Sequence, residues 1–420
     1  MDNQSFSLRH TALSVALFAA IFASLAQADT VTEWNERAAQ AAATAGGPPV
    51  QNRIMAIVQI AVHDALNAVN ARFETYAPQS PAAPGASAAA AALSAAYRTL
   101  IQLVPGEAAN LQIIYENRLV ELPPCPAASP SCIDDGVAAG AAAAQNILDL
   151  RLNDGSSTPN LPYTLPPGPG VYQPTPPAFV PPQNAGWANV VPFALNYASQ
   201  FRAPPSPIFN LRSFQYTRDF NEVRIFGNSI LRSGIPDSDK SRVARFWPGG
   251  GADVNALTRV VATGRGLDMW QHARLLALVD IAVADSTISV FETKYHYNFW
   301  RPITAIRAAD TDGNWATTAD PTWLPYLPTP PYPDYPCGLT SNVGAATEVM
   351  RHYFGRDWLP YTFTAAGITR SYNRLSEADA DAVDARVYGG MHFRTGCEQG
   401  IRYGGKVGEF VFNSRLRPLN

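Results

Sequence analysis

The stretch LVDIAVADSTISVFETKYHYNFWRP, residues 278–302, bears on both the fold and the chemistry of this chain. Its first half belongs to an apolar pattern with helical spacing that extends from Leu267 to Glu292. Its second half carries Lys294 and Arg301, separated by six residues of which four are aromatic. Because Pro302 disfavours the helical conformation at Arg301, we expect both cations to leave a helix and enter a turn together. Two cations held close repel each other unless an anion lies between them.

Apolar residues at helical spacing recur along the rest of the chain. They predict helices over residues 53–72, 86–103, 107–122, 134–152, 216–231, 267–292 and 342–354, and a weak one over 398–412 that four glycines interrupt. Proline dominates residues 160–182, which predicts an extended loop or a lid. We find no alternating pattern long enough for a sheet and no repeat of fixed period. The sequence therefore predicts an all-α fold, a helical bundle with long Pro-rich loops.

Composition and the N-terminus indicate an exported globular protein. The 420 residues are 47% hydrophobic and 15% charged, and the net charge of −3 offers no general attraction to nucleic acid. An apolar run over residues 12–26 follows a basic start and ends in the cleavage pattern Ala-Gln-Ala. We predict a signal peptide over 1–28 and a single domain over 29–420, with the site motifs in 290–400. The mature protein should be secreted or periplasmic, without a membrane span.

Export makes disulfides possible in this chain. Cys125 and Cys132 flank a proline-rich turn, CPAASPSC, so a local bridge is the first prediction. Cys337 and Cys397 remain, and four cysteines allow three pairings.

A second stretch of interest is PPYPDYPCGLTSNVGAATEVMRHYF, residues 330–354, which runs from a proline loop into a helical pattern. Thr340 and Ser341 are candidate N-caps of that helix. Gly338 lies just before them and would let backbone N–H groups approach an oxyanion, which the helix dipole also favours. The alternative is an ordinary capped helix.

A third stretch is ARVYGGMHFRTGCEQG, residues 385–400. Arg386 and His392 are six residues apart, and the two glycines between them predict a helix break that can turn both side chains inward. His392 is the strongest catalytic candidate among six histidines, and a buried hydrogen-bonded histidine is the alternative. The adjacent pair His63-Asp64 lacks further ligands, so we interpret it as a buried hydrogen-bonded pair and not as a metal site.

In this order the three stretches resemble the vanadium-dependent haloperoxidase and type 2 phosphatidic acid phosphatase superfamily. Its motifs are Lys-x6-Arg-Pro, Pro-Ser-Gly-His and Ser-Arg-x5-His. Residues 294–302 match the first in full, and residues 385–392 match the third with alanine in place of its serine. The segments VTEWN, AVHDALNAVNA, WRPITAIR and TPPYPDYP add a resemblance to the secreted haloperoxidase-like branch.

The resemblance implies a binding site for vanadate or phosphate. Lys294, Arg301 and Arg386 would grip the oxygens, and Gly338 would donate a backbone N–H. His392 would bind the vanadium, or attack phosphorus in a phosphatase.

The second motif departs from the family pattern. Where the family has Pro-Ser-Gly-His, residues 336–339 are Pro-Cys-Gly-Leu. The missing histidine is the family's acid–base group, and the loss of such a group typically lowers the rate ~10²- to 10⁴-fold. Leu339 cannot move a proton, and Thr340 and Ser341 have the wrong pKa. His296 is a candidate substitute, and it can equally be a histidine packed among aromatic neighbours.

The resemblance also bears on Cys337. A free thiol beside a peroxide-activating centre should oxidise. Either Cys337 is bridged to Cys397, or the site handles no peroxide.

Three functions follow from the resemblance. The first is an exported haloperoxidase with vanadate as cofactor and halide and peroxide as substrates, weakened by Leu339. The second is a phosphatase that acts on phosphate esters through a phospho-His392 intermediate and needs no cofactor. The third is an oxyanion-binding protein that catalyses nothing.

Overall fold

The computed structural model describes residues 29–160, 162–247 and 251–419 of the chain, and the predicted signal peptide lies outside these ranges. Within them the structure is mainly helical, as the sequence predicts. The helices are α1 Thr30–Ala45, α2 Pro48–Val69, α3 Ala88–Leu103, α4 Ala108–Val120, α5 Cys132–Leu150, α6 Phe214–Phe226, α7 Ser229–Gly234, α8 Asp239–Phe246, α9 Gly251–Ala262, α10 Met269–Tyr297, α11 Pro302–Arg307, α12 Gly338–Phe354, α13 Leu375–Tyr388 and α14 Arg394–Ser414. The strands are β1 Trp358–Ala365 and β2 Ile368–Arg374.

Helix α10 is the central element of the fold. It begins with a capping box, in which the Asp268 side chain accepts from the backbone of Gln271 and the Gln271 side chain accepts from Asp268. Every residue from Ala273 to Phe291 is buried, so the helix is covered on all sides by its neighbours, among them α2, α12 and α14. It carries Lys294 in its last turn, inside the protein.

Helix α14 is longer and more regular than the sequence predicts. Gly400, Gly404 and Gly408 face α12 so closely that a Cβ at Gly404 would lie 1.9 Å from the carbonyl oxygen of Ser341. A Cβ at Gly408 would lie 2.4 Å from the carbonyl oxygen of Ala345. The expectation of a weak helix is wrong because these glycines allow two helices to touch, and the contact offsets their low helix propensity.

The expectation that the chain has no sheet is also wrong. Strands β1 and β2 form an antiparallel hairpin, and β1 alternates between exposed and buried residues along its whole length. Ala366 and Gly367 both have positive φ angles, as a two-residue hairpin turn requires. The buried face includes Phe363, whose ring lies 5.6 Å from that of Phe246. This pattern spans only one short hairpin, so it stands out weakly in a helical sequence.

The Pro-rich segment 160–182 contains no helix or strand among its described residues, as predicted. It is held down by backbone hydrogen bonds, from Tyr172 N–H to the carbonyl of Asn298 (2.8 Å) and from Trp300 N–H to the carbonyl of Gly170 (3.1 Å). These contacts place the loop directly over the segment that connects Lys294 with Arg301.

Two further predictions are confirmed. Cys125 and Cys132 form a disulfide. His63 and Asp64 are a buried pair, with Nδ1 3.0 Å from Oδ1, and the same carboxylate accepts two backbone hydrogen bonds. In the described part of the chain, none of the helices is both long and apolar enough to span a bilayer.

Candidate functional site

The three sequence motifs meet at one cavity of about 360 Å³. It lies between the end of α10 and the start of α12, and it is closed by the start of α2 and by residues 183–184 and 330–332. Four of the five residues predicted to bind an anion line it, namely Lys294, Gly338, Arg386 and His392, and Leu339 lines it as well.

Lys294 is completely buried, with its ammonium group at the cavity wall. It donates to the backbone carbonyls of Pro333 (2.9 Å) and Asp334 (2.8 Å). Burial, and secondly the charge of Arg301, lower the pKa of Lys294 to about 7. An ammonium group has three N–H donors, so one remains for a ligand.

Arg301 follows the end of α10, where Asn298 adopts a left-handed conformation and Arg301 is extended. The predicted turn between the two cations is therefore present. Arg301 is fully buried and donates to the carbonyls of Tyr332 (2.7 Å) and Met391 (2.9 Å). It does not line the cavity itself and contacts His392 instead. Its role in gripping an anion remains a prediction.

His392 is held between an anion and a cation. Its Nδ1 lies 2.8 Å from Asp334 Oδ1, and Arg301 Nη1 lies 3.0 Å from Nε2 and 3.4 Å from Nδ1, so the guanidinium packs against the ring. Because a carboxylate accepts hydrogen bonds, Asp334 favours the tautomer with the proton on Nδ1, which leaves the lone pair on Nε2. A histidine that binds a metal or attacks phosphorus needs such a lone pair.

Arg386 lies in the last turn of α13, which ends at Tyr388 before Gly389 and Gly390. The predicted helix break is present, and Gly390 has a φ of 79°. Arg386 is 5% exposed and donates to the carbonyl of Trp247 at 3.4 Å.

The start of α12 lies at the cavity, which Gly338 and Leu339 line. Gly338 is its first residue, and Cys337 is the N-cap without a side-chain capping bond. The expectation that Thr340 or Ser341 caps the helix is wrong, because both hydroxyls donate back to the carbonyl of Cys337 (3.2 and 2.8 Å). The helix begins before them and leaves its N-terminus open to an anion.

Cys337 and Cys397 are buried free thiols, so the predicted bridge between them is not formed in this structure. Their two sulfur atoms and one nitrogen of His392 all lie within 4.8 Å of one another. Burial raises the pKa of the Cys337 thiol, but its contacts with Cys397, His392 and Arg386 outweigh burial and hold that pKa well below its ordinary value. Burial, and secondly the neighbouring Cys337 thiol, raise the pKa of Cys397.

Sequence reasoning missed Asp334, and of its two interpretations of His296 the structure agrees with the histidine packed among aromatic neighbours. Asp334 is fully buried beside His392 and 3.7 Å from Arg301 Nη1. A single acidic residue in a loop otherwise made of proline, tyrosine and small residues was the available signal. His296 is exposed, packs edge-on against Tyr297 (4.8 Å) and does not line the cavity. It cannot replace the missing acid–base histidine.

The donor set fits an oxyanion. Arg301 Nη2 and Arg386 Nε are buried N–H donors without a hydrogen-bond partner, which is costly unless a ligand accepts from them. Lys294 and Arg386 line the cavity and Arg301 lies behind His392, and in this group they are opposed by one carboxylate, that of Asp334. A bound oxyanion would satisfy the unpaired donors and offset the excess positive charge.

The chain is similar to known proteins in sequence and in fold. A family model of the VCPO second helical-bundle domain matches residues 274–420, which include all three motifs. Vanadium chloroperoxidase of Curvularia inaequalis is 36% identical over 92 residues, which is 20% of this chain and 14% of the length of that relative.

Solved structures share the fold over most of the chain. The first bacterial vanadium-dependent iodoperoxidase superposes with a TM-score of 0.78 at 24% identity, covering 94% of this chain and 99% of that one. A holo-type bacterial vanadium-dependent chloroperoxidase superposes with a TM-score of 0.71 at 20% identity, covering 88% and 92%. At these sequence identities, the superpositions show a shared fold and nothing more.

Proposed function

Because the chain belongs to the vanadium-dependent haloperoxidase and type 2 phosphatidic acid phosphatase superfamily, we propose that it is a vanadate-dependent peroxidase that oxidises halide. One observation carries this proposal. A cavity is lined by Lys294, Arg386 and His392, and two buried arginine N–H donors beside it lack partners. A cationic site of this kind stabilises a bound oxyanion and the charge that develops on it.

Each residue of the site has a distinct part in this proposal. Vanadate, when bound, would supply the Lewis acidity that activates peroxide toward halide. Lys294, Arg386 and the start of α12 would hold its oxygens, and His392 Nε2 would be its ligand on the protein. Asp334 keeps the proton on Nδ1, which leaves Nε2 free to bind.

Proton transfer is the weak point of the site. Leu339 lines the cavity and has no group that can donate or accept a proton. Lys294 also lines it, and because a bound oxyanion stabilises its charged form above the ligand-free pKa of about 7, it can act as a proton donor. We propose that Lys294 supports a slow reaction in place of the missing histidine.

A second candidate function is the hydrolysis of phosphate esters. The Nδ1–H tautomer of His392 favours it, because Nε2 is then also a nucleophile for phosphorus. The same cations would neutralise the transferred phosphoryl group. Protonation of the leaving group would again depend on Lys294.

Titration calorimetry with orthovanadate in phosphate-free buffer tests the proposal, with wild type and His392→Ala measured side by side. We expect wild type to bind and His392→Ala to bind at least ~10-fold more weakly. Halide-dependent consumption of hydrogen peroxide by the vanadate-loaded protein would support the peroxidase. Hydrolysis of an aryl phosphate with a trapped phosphohistidine would support the phosphatase.

Two outcomes would contradict the proposal. Vanadate binding without any turnover would leave a protein that only binds oxyanions. Absence of binding in wild type would rule out both enzymatic functions.

We also propose that the protein is exported. The signal-like N-terminus motivates this, and the Cys125–Cys132 disulfide is compatible with an oxidising compartment. The N-terminal sequence of protein recovered from outside the cytoplasm should begin at Asp29. An uncleaved chain in the cytoplasm would contradict the proposal.

A further inference from the structure

We propose that Cys337 and Cys397 form a redox-active dithiol, which hydrogen peroxide that enters the cavity oxidises to an intramolecular disulfide. This reaction needs no vanadate. It shares with the proposed function only the access of peroxide to the cavity.

The backbone already holds the two cysteines side by side. The N–H of Cys337 donates to the carbonyl of Gly396, the residue before Cys397, at 3.0 Å. The two sulfur atoms lie within 4.8 Å of each other. A disulfide needs about 2 Å between sulfurs and Cα atoms within roughly 7 Å. We therefore expect small side-chain rotations to be enough to close the bond.

The pair is within reach of a small oxidant. Both sulfurs lie within 4.8 Å of a ring nitrogen of His392, which lines the cavity. Gly338 and Leu339, directly after Cys337, line it as well. Peroxide in the cavity would thus be separated from Cys337 by little more than the width of one side chain.

The chemistry is balanced with peroxide as the only oxidant. The thiolate of one cysteine attacks a peroxide oxygen, the O–O bond breaks, and a sulfenic acid and water form. The second thiol then attacks the sulfenic sulfur, and a second water leaves as the S–S bond forms. Two thiols and one peroxide give one disulfide and two waters.

A zinc site formed by Cys337, His392 and Cys397 fits the surrounding charges less well. Two cysteines and a histidine are a ligand set that zinc accepts. Lys294, Arg301 and Arg386 are all buried close to His392 and the cavity, however, and only Asp334 opposes them in this group. A divalent cation would be repelled there, whereas neutral peroxide would not.

The disulfide would connect two parts of the candidate site. Cys337 is the N-cap of α12, directly before Gly338, and Cys397 lies in the first turn of α14, five residues after His392. Oxidation would fix the backbone N–H groups of α12 relative to His392. We expect the oxidised protein to bind orthovanadate more tightly than the reduced protein, by roughly 3- to 10-fold, because less flexibility is lost on binding.

Peptide mapping of the intact mature protein tests the proposal. The protein is reduced mildly, so that Cys125–Cys132 can be monitored as an internal reference, then titrated with hydrogen peroxide and alkylated. We expect a cross-linked peptide that contains Cys337 and Cys397, equal loss of both thiols, and their recovery with dithiothreitol. In Cys397→Ala, oxidation should stop at a sulfenic acid on Cys337 that dimedone traps.

Three results would overturn the proposal. Both thiols could remain reduced at a peroxide concentration that fully oxidises free glutathione in the same sample. The two cysteines could be oxidised separately to sulfinic acids without a cross-link. The protein could retain one zinc ion that protects both thiols. Orthovanadate binding by the reduced protein is measured in parallel, so failure of the dithiol is distinguishable from failure of the anion site.

Discussion

Lys294 is the residue whose charge state should control anion binding. Its pKa of about 7 makes it cationic below neutral pH and mostly neutral above. An oxyanion stabilises the charged form, so binding above pH 7 must take up a proton. We expect sulfate affinity to fall by up to ~10-fold per pH unit above this pKa. Sulfate is the suitable probe because it stays a dianion throughout the neutral range.

Calorimetry in buffers of different ionisation enthalpy measures that proton uptake directly. Lys294→Met is the matched variant, and it should bind sulfate more weakly with a flatter pH profile. If wild type binds sulfate without proton uptake at about pH 8, the low pKa of Lys294 is wrong.

Leu339 offers a gain-of-function test at the same scale. It lines the cavity at the position where the family motif has its acid–base histidine. We expect Leu339→His to raise the halide-dependent consumption of peroxide by roughly 10²-fold, within the range that general acid–base catalysis supplies. Leu339→Asn is the control, because it adds polarity without a group that titrates near neutral pH. Equal rates in both variants would exclude a proton-transfer role.

At the scale of elements, the contact between α12 and α14 positions Gly338 relative to His392. Gly404 lies in this contact, where an added Cβ would come 1.9 Å from a backbone oxygen. Gly405, the next residue of α14, has no atom within 4 Å of such a Cβ. We expect Gly404→Ala to lower the free energy of unfolding by about 3 kcal/mol through this clash. Gly405→Ala should raise it by about 0.5–1 kcal/mol through helix propensity.

Urea denaturation of both variants provides the measurement. Orthovanadate binding should weaken in Gly404→Ala and stay unchanged in Gly405→Ala. Similar stabilities for the two variants would mean that the helices do not approach each other this closely.

At the scale of the whole molecule, buried acids in α10 should make stability depend on pH. Burial raises the pKa of Asp280 to about 7, although Asn255 donates to both of its oxygens. Between the unfolded pKa of about 4 and the folded pKa of about 7, the folded state holds the proton that the unfolded state has released. The free energy of unfolding therefore falls as pH rises through this window.

Asp280→Asn removes this titration. We expect the variant to be more stable than wild type by roughly 2 kcal/mol at about pH 8 and similar to it at about pH 4. Thermal unfolding at both pH values measures the difference.

Asp285 is a second buried acid of α10 for comparison, and burial raises its pKa to about 6. Its carboxylate accepts backbone hydrogen bonds from Phe193, Ala194 and Leu195. Asp285→Asn would turn an amide N–H toward one or more of these donors. It should destabilise the protein at both pH values. The loss should be smaller at about pH 8 than at about pH 4, because the variant also removes the titration of Asp285, and a larger loss at about pH 8 would contradict the argument.

Much of the site could be predicted from the sequence because its motifs are local. Lys294 and Arg301 leave α10 together, and Arg386 and His392 are turned inward by a glycine break, as their spacing indicates. The pairing of Asp334 with His392 could not be predicted. It joins residues 58 positions apart in the chain, and no local pattern encodes such a contact.

By itself, the sequence determined the helical class, the positions of most long helices, the local disulfide and the residues that could bind an anion. Those features depend on short-range periodicity, turn chemistry and charge, which are readable along the chain. Only the tertiary structure decided that α14 is a full helix, that a hairpin forms, that Arg301 lies behind His392, and that Cys337 and Cys397 are adjacent free thiols. These depend on which surfaces meet, because close packing between distant segments overrides local propensity.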